Sequence, residues 1–203
     1  MLKLFIYKYT NKNYKIQPFF SKYRKSIIRM SKNQDFINKN IETEYVVYHL
    51  FNKLFGITNL EFETVGVGRP IIKDNPFHFN IAHSKDYLVV AISDKNISVD
   101  IEHINPKRLK IKKKIYKEKV DYDIERVIKD FTIKEAFVKY FAGTATSNLK
   151  EIVFDEETVN NGKYSLYYQS FTYLNEYQIS LCTTINNVFD LEIVESVDKL
   201  FDL

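Results

Sequence analysis

The stretch SVDIEHI, residues 98–104, sets two carboxylates, Asp100 and Glu102, two positions apart in an otherwise apolar run. Strand side chains repeat every two residues, so Ile97, Val99 and Ile101 share one face and Ser98, Asp100 and Glu102 the other. Both acids therefore point the same way. Two β-like runs precede it, FHFNIAHS (77–84) and YLVVAIS (87–93), joined by short KD and DKN turns, and the three read as an antiparallel meander.

Outward from this segment, LKLFIYKY (2–9) reads as a strand and SKYRKSIIRMSK (21–32) as a basic stretch of undefined structure. QDFINKNIETEYVVYHLFNKLFG (34–56) carries Ile37, Ile41, Tyr45, Tyr48 and Phe55 at helical spacing, with Gly56 as its stop. GVGRP (66–70) marks a turn. Beyond residue 104 comes a lysine-rich connection, NPKRLKIKKKIYKEK (105–119), expected to be solvated. A second helix, DYDIERVIKDFTIKEAFVKYFAGT (121–144), leads to the β-like pieces SLYYQSFTYL, YQISLCTT and FDLEIVES. Each half thus offers strands and one long helix. The expected class is α+β with two similar lobes, 1–99 and 100–203, each an antiparallel sheet packed with a long helix.

Bulk composition narrows the setting. Sixteen Phe and fifteen Tyr against five Gly and four Pro favour a packed, aromatic-rich body without long disordered linkers. The single cysteine, Cys182, excludes an internal disulfide and a thiolate zinc site, which fits a reducing cytoplasm. The N-terminal apolar run is too short for a signal sequence and no apolar run is long enough to cross a bilayer, so neither export nor membrane insertion is expected. A net charge of +4 suits a phosphate-bearing ligand or an acidic partner, and falls short of the field of a nucleic-acid binder.

On a helical wheel Ile124, Val127, Ile128, Phe131 and Val138 form a stripe with Glu135 in its middle, and Lys139 follows one turn later. An unpaired carboxylate on an apolar face costs several kcal/mol. Three acids placed against the apolar pattern, Asp100, Glu102 and Glu135, are the oxygen donors a hard cation such as Mg²⁺ takes. The bland alternatives are a solvent-facing strand side for the first two and an ordinary surface Glu–Lys pair for Glu135 and Lys139.

NIAHS (80–84), VDIE (99–102) and FTIKEAFVK (131–139) together resemble the ordered signature of the 4′-phosphopantetheinyl transferase superfamily, an N-I-S-H-S element, a D-x-E pair and a W-x-x-K-E-x-x-x-K helix. GRP (68–70) is similar to the G-K-P element that precedes them. The resemblance spans roughly residues 66–143 and, by chain length, points to the Sfp-like two-lobed pseudodimer rather than the short, trimeric holo-acyl-carrier-protein synthase type. It implies a monomer that uses Mg²⁺ and transfers the 4′-phosphopantetheine arm of coenzyme A to a serine of an apo acyl or peptidyl carrier protein, releasing 3′,5′-ADP. The carriers served by the family belong to fatty-acid, polyketide and nonribosomal-peptide synthesis.

Residue by residue, the resemblance implies metal ligation by Asp100, Glu102 and Glu135, with Glu135 also the general base and Lys139 on the phosphate and leaving group. It implies coenzyme A contacts from His83, Arg69, Lys134 and Lys139, and from basic residues around the first helix, among them Arg24 and Lys39. His49, His78 and His103 are read as structural. Ala82 stands where the family has Ser, Phe131 where it has Trp and Arg69 where it has Lys. Two competing readings are a non-catalytic homologue that binds coenzyme A or a carrier, and a nucleic-acid contact through the lysine-rich run and Tyr116. The single aromatic in that run speaks against the second.

Overall fold

A computed structural model of the chain describes residues 2–10, 14–58, 60, 62–66, 69–73, 76–144, 148–186 and 192–195. The N-terminal half comprises β1 (Leu2–Lys8), α1 (Lys22–Met30), α2 (Gln34–Phe55), the hairpin β2 (Phe62–Val65) and β3 (Arg69–Ile72), and β4 (His78–Ser84) and β5 (Tyr87–Ser93). Then come β6 (Ile97–His103), a 3₁₀ turn (Pro106–Ile111) with the short α3 (Lys112–Ile115), and α4 (Ile124–Tyr140). β7 (Val153–Phe154), β8 (Thr158–Asn160), β9 (Ser165–Tyr173), β10 (Tyr177–Thr183) and β11 (Glu192–Glu195) complete the order.

Among the described residues two larger sheets, β11-β1-β5-β4 and β6-β10-β9-β8-β7, stand beside the two-stranded β2-β3. The expected α+β, two-lobed class is what is seen. In the first sheet β1 pairs antiparallel with β5 and parallel with β11, so the last described strand returns to the first lobe. The second sheet is antiparallel throughout. Strand alternation gives each sheet two apolar faces. Phe5, Leu88, Val90 and Ile92 of the first pack on Val46, Val47, Leu50 and Phe51 of α2. Leu4, Ile6, Val89 and Ala91 pack on Val99, Ile101, Ile179 and Leu181 of the second. Its far face, with Leu166 and Cys182, lies under Ile133, Ala136 and Phe137 of α4. The layers therefore run helix, sheet, sheet, helix, with the lobes fused through the middle.

Three expectations are corrected. β4 and β5 form the expected hairpin, but β6 leaves the meander and pairs along its whole length with β10, from Ile97↔Thr183 to His103↔Tyr177. The basic stretch of undefined structure contains a helix, α1, because Ser21 Oγ caps it by accepting from Arg24 N at 3.0 Å. The lysine-rich connection is partly folded: Ile111 and Ile115 are buried against Val127 and Ile128 of α4 while most of its lysines stay exposed. Gly68 of the GRP element and the ends of FDLEIVES lie outside the described residues.

α2 and α4 were read from apolar spacing, and their ends follow local chemistry. Asn33 and Asp123 cap their N-termini, and Gly56 ends α2 at φ +66, a left-handed conformation that glycine adopts without penalty.

Candidate active site

The polar face of β6 turns onto α4, not to solvent. Ser98 is fully buried and donates from Oγ to Ala136 O at 2.6 Å. Asp100, one pleat further, is 5% exposed and accepts from Lys139 Nζ at 2.6 Å through Oδ1. This excludes the solvent-facing alternative for the strand. Asp100 Oδ2 is buried with no hydrogen-bond partner among the described residues. Burial lifts the Asp100 carboxyl above its ordinary pKa; Lys139 opposes this, and the negative charge of Glu102 adds to it.

Glu102 is held by Arg108 of the 3₁₀ turn, whose Nη2 donates to Oε1 at 2.7 Å and whose Nη1 donates to Oε2. Ser84 Oγ donates to the same Oε2 at 3.2 Å. The Arg108 guanidinium stands 5.5 Å from the centroid of the Phe131 ring, which fills the place of the family's Trp. Glu135 is half-buried, one turn before Lys139 on α4. Burial raises its pKa, Asp100 and Glu102 push the same way, and Lys139 pulls against them. The three acids thus feel one another across the junction of β6 and α4.

As they stand, no group of three or more His, Cys, Asp or Glu side chains among the described residues could hold a metal ion. The donor chemistry nevertheless suits a hard cation: carboxylates only, an orphaned Oδ2 on Asp100, and Glu135 at hand with its charge destabilised by its neighbours. Lys139 and Arg108 supply positive charge to Asp100 and Glu102 instead.

Beside these acids opens a cavity of about 620 Å³, the size of a small-molecule site. Its walls bring together the separate sequence blocks: Arg69–Pro70, Asn80–His83 and Val138–Lys139, with Arg24, Asn40 and Glu44 from α1 and α2 opposite. His83 presents its ring to this space. The enclosing protein is the main cause holding its imidazole below the usual pKa, and Lys139, Arg24 and Lys39 press the same way. The positive charge of these three side chains suits an anion.

The other sequence-predicted contacts divide. Arg69 lines the cavity, yet its guanidinium is engaged in the fold, Nη1 donating to Tyr140 O at 2.9 Å and Nη2 to Asn96 Oδ1 at 2.6 Å and Ile97 O at 2.9 Å. Lys39 contributes charge near His83 and pairs with Asp35 at 3.0 Å without lining the cavity. Lys134 is turned about 100° round α4 from Glu135. It is 5% exposed, donates to Ile115 O at 2.7 Å, and burial brings its pKa down to about 8.

Sequence reasoning missed Arg108, Glu44 and Asn40. Arg108 was hidden in a charge run that looked solvated. Glu44 carried the same signal as Glu135, an acid in step with Ile37, Ile41 and Tyr48 on the apolar face of its helix.

No protein-family model matches the chain. It is 28% identical to the 4′-phosphopantetheinyl transferase psf-1 of Bacillus pumilus over 69% of this chain and 68% of that protein. It is 24% identical to the 4′-phosphopantetheinyl transferase Sfp of Bacillus subtilis strain 168 over 63% and 62%, and 30% identical to the 4′-phosphopantetheinyl transferase gsp of Aneurinibacillus migulanus over 40% and 38%. The likeness first read from three short blocks thus extends over most of the chain, which is similar to 4′-phosphopantetheinyl transferases of the Sfp-like group.

Proposed function

We propose that this enzyme transfers the 4′-phosphopantetheine arm of coenzyme A to a serine of an apo acyl or peptidyl carrier protein and releases 3′,5′-ADP. The observation that carries this is the convergence of Arg69, His83 and Lys139, from three separate sequence blocks, on one cavity with Arg24 opposite. Such a cavity offers directional donors and positive charge to the phosphates of coenzyme A.

In the transfer the serine oxygen forms a bond to the pyrophosphate phosphorus that bears the pantetheine arm. The bond from that phosphorus to the bridging oxygen breaks, and 3′,5′-ADP leaves with the electron pair. Glu135 takes the serine proton. A positioned base of this kind contributes about 10²–10⁴-fold. Lys139 spends one donor on Asp100 and can turn others to the oxygens where charge develops. Asp100 and Glu135 would hold Mg²⁺, with Glu102 joining where Arg108 yields it. A bound Mg²⁺ supplies charge neutralisation and a template for the pyrophosphate. A monomer in a reducing cytoplasm completes the proposal, consistent with Cys182 being a buried free thiol.

The test is release of 3′,5′-ADP on mixing the protein with coenzyme A, Mg²⁺ and each of a panel of apo carriers. Release that needs both a carrier and coenzyme A is expected. Coenzyme A left intact with every carrier contradicts the proposal.

A further inference from the structure

Glu44 and Asn40 are 5% and 4% exposed, and both belong to the cavity wall contributed by α2. A carboxylate on the wall of a phosphate site repels its ligand unless its charge is matched. Here both oxygens are taken: Oε1 accepts the Ser21 backbone N–H at 2.8 Å and Oε2 accepts Arg24 Nε at 3.1 Å. Asn40 Oδ1 accepts from Arg24 Nη1, and its Nδ2 donates to Phe36 O at 2.7 Å, which fixes the amide's orientation. Ser21 in turn caps α1 through Arg24 N. Two residues of α2 therefore tie down the first turn of α1 and two of the three nitrogens of one guanidinium. Arg24 Nη2 has no acceptor among the described residues.

We propose that Glu44 and Asn40 are positioning residues that lock the Arg24 guanidinium in one orientation, so that its Nη2 edge is presented to a phosphate of coenzyme A. The inference rests on the coenzyme A reading given above. An arginine on a flexible stem must be ordered each time a ligand binds, whereas one already held by buried acceptors is ordered in advance, and preorganisation appears as affinity. Glu44 touches no ligand in this scheme and acts only through Arg24.

A double-mutant cycle on coenzyme A affinity, measured by calorimetry without a carrier, separates this role from a general structural one. Thermal melts check the folding of wild type, Glu44→Gln, Arg24→Gln and the double variant. Arg24→Gln should weaken binding by about tenfold or more, Glu44→Gln by about five- to tenfold, and the double variant no further than Arg24→Gln alone. Should Glu44→Gln melt early, Asn40→Ala carries the same expectation from a residue that does not touch the cap of α1. Losses that multiply, or a Glu44→Gln protein of full affinity, overturn the proposal. If Arg24→Gln binds like wild type there is nothing to position, and this inference falls while the transferase reading stands. If the wild type fails to bind coenzyme A, both fall.

Discussion

Asp100, Glu135 and Glu44 are acids set into packed elements, Asp100 on the polar face of β6 that turns onto α4 and the two glutamates on the apolar stripes of their helices. The two periods, two residues for a strand and 3.6 for a helix, made the first two legible in the sequence. What the periods cannot give is the counter-charge, because Lys139, Arg108 and Arg24 each approach their acids from another element. Lys134 shows the converse. Adjacent to Glu135 in the sequence, it is turned about 100° round α4, where its ammonium is buried on Ile115 O. Its pKa of about 8 lies below the ordinary 10.5. Below pH 8 both states hold the proton and the folded protein carries the cost of the buried charge. Between about 8 and 10.5 the unfolded chain holds the proton more often, so stability rises with pH and the cost is relieved. Urea unfolding at pH 7.5 and 9.5 should show wild type gaining on Lys134→Met at the higher pH. An unchanged or reversed difference would refute the assigned burial.

Among the elements, helices were more legible than pairings. α2 and α4 announce themselves by spacing and caps; α1 is short and basic, and exists because Ser21 and Glu44 hold its first turn. β6 was read correctly as a strand and assigned to the wrong neighbours, since alternation fixes faces and says nothing of partners. Side-chain bonds link it to β4: Val99 N donates to Asn80 Oδ1 at 2.9 Å, His103 N to Ser84 Oγ at 3.0 Å and Ser84 Oγ to Glu102 Oε2 at 3.2 Å. The β2–β3 hairpin is pinned to the end of α4 by Arg69 and by the close approach of Gly66 to Ala142. A Cβ on Gly66 would meet Ala142 O at 2.5 Å and Ala142 Cβ at 2.7 Å, and the φ of +54 disfavours any other residue. Gly66→Ala should cost about 1–3 kcal/mol, and Arg69→Met a similar amount because Tyr140 O and Ile97 O lose a charged donor. Thermal melts read both. A wild-type melting temperature in either variant would contradict the pinning, and with it the account of how the helix bearing Glu135 and Lys139 is anchored.

In the whole molecule, two sheets packed face to face set a strand of one lobe beside the helix of the other, and the cavity lies where α1, α2, β4 and α4 meet. The two-lobed class was readable from the repeat of strands and a long helix in each half. The return of β11 to β1 was not, because a parallel neighbour at the far end of the chain leaves no local mark. No described helix is long and apolar enough to cross a membrane. On the proposed function the first lobe gives Arg24, Arg69 and His83 and the second gives Lys139 and the acids of β6 and α4, a division of labour across the seam between them.

Intact-mass spectrometry of apo carrier proteins incubated with coenzyme A, Mg²⁺ and the enzyme tests that division, with Glu135→Gln and a chelator-treated sample alongside. A gain of one phosphopantetheine on a carrier, abolished by the chelator, restored by Mg²⁺ and slowed by about 10²–10⁴-fold in Glu135→Gln, is the predicted result. A gain that proceeds undiminished in Glu135→Gln or with metal removed would contradict the roles given to the acids, and no gain on any carrier while coenzyme A still binds would leave a binding protein in place of a transferase.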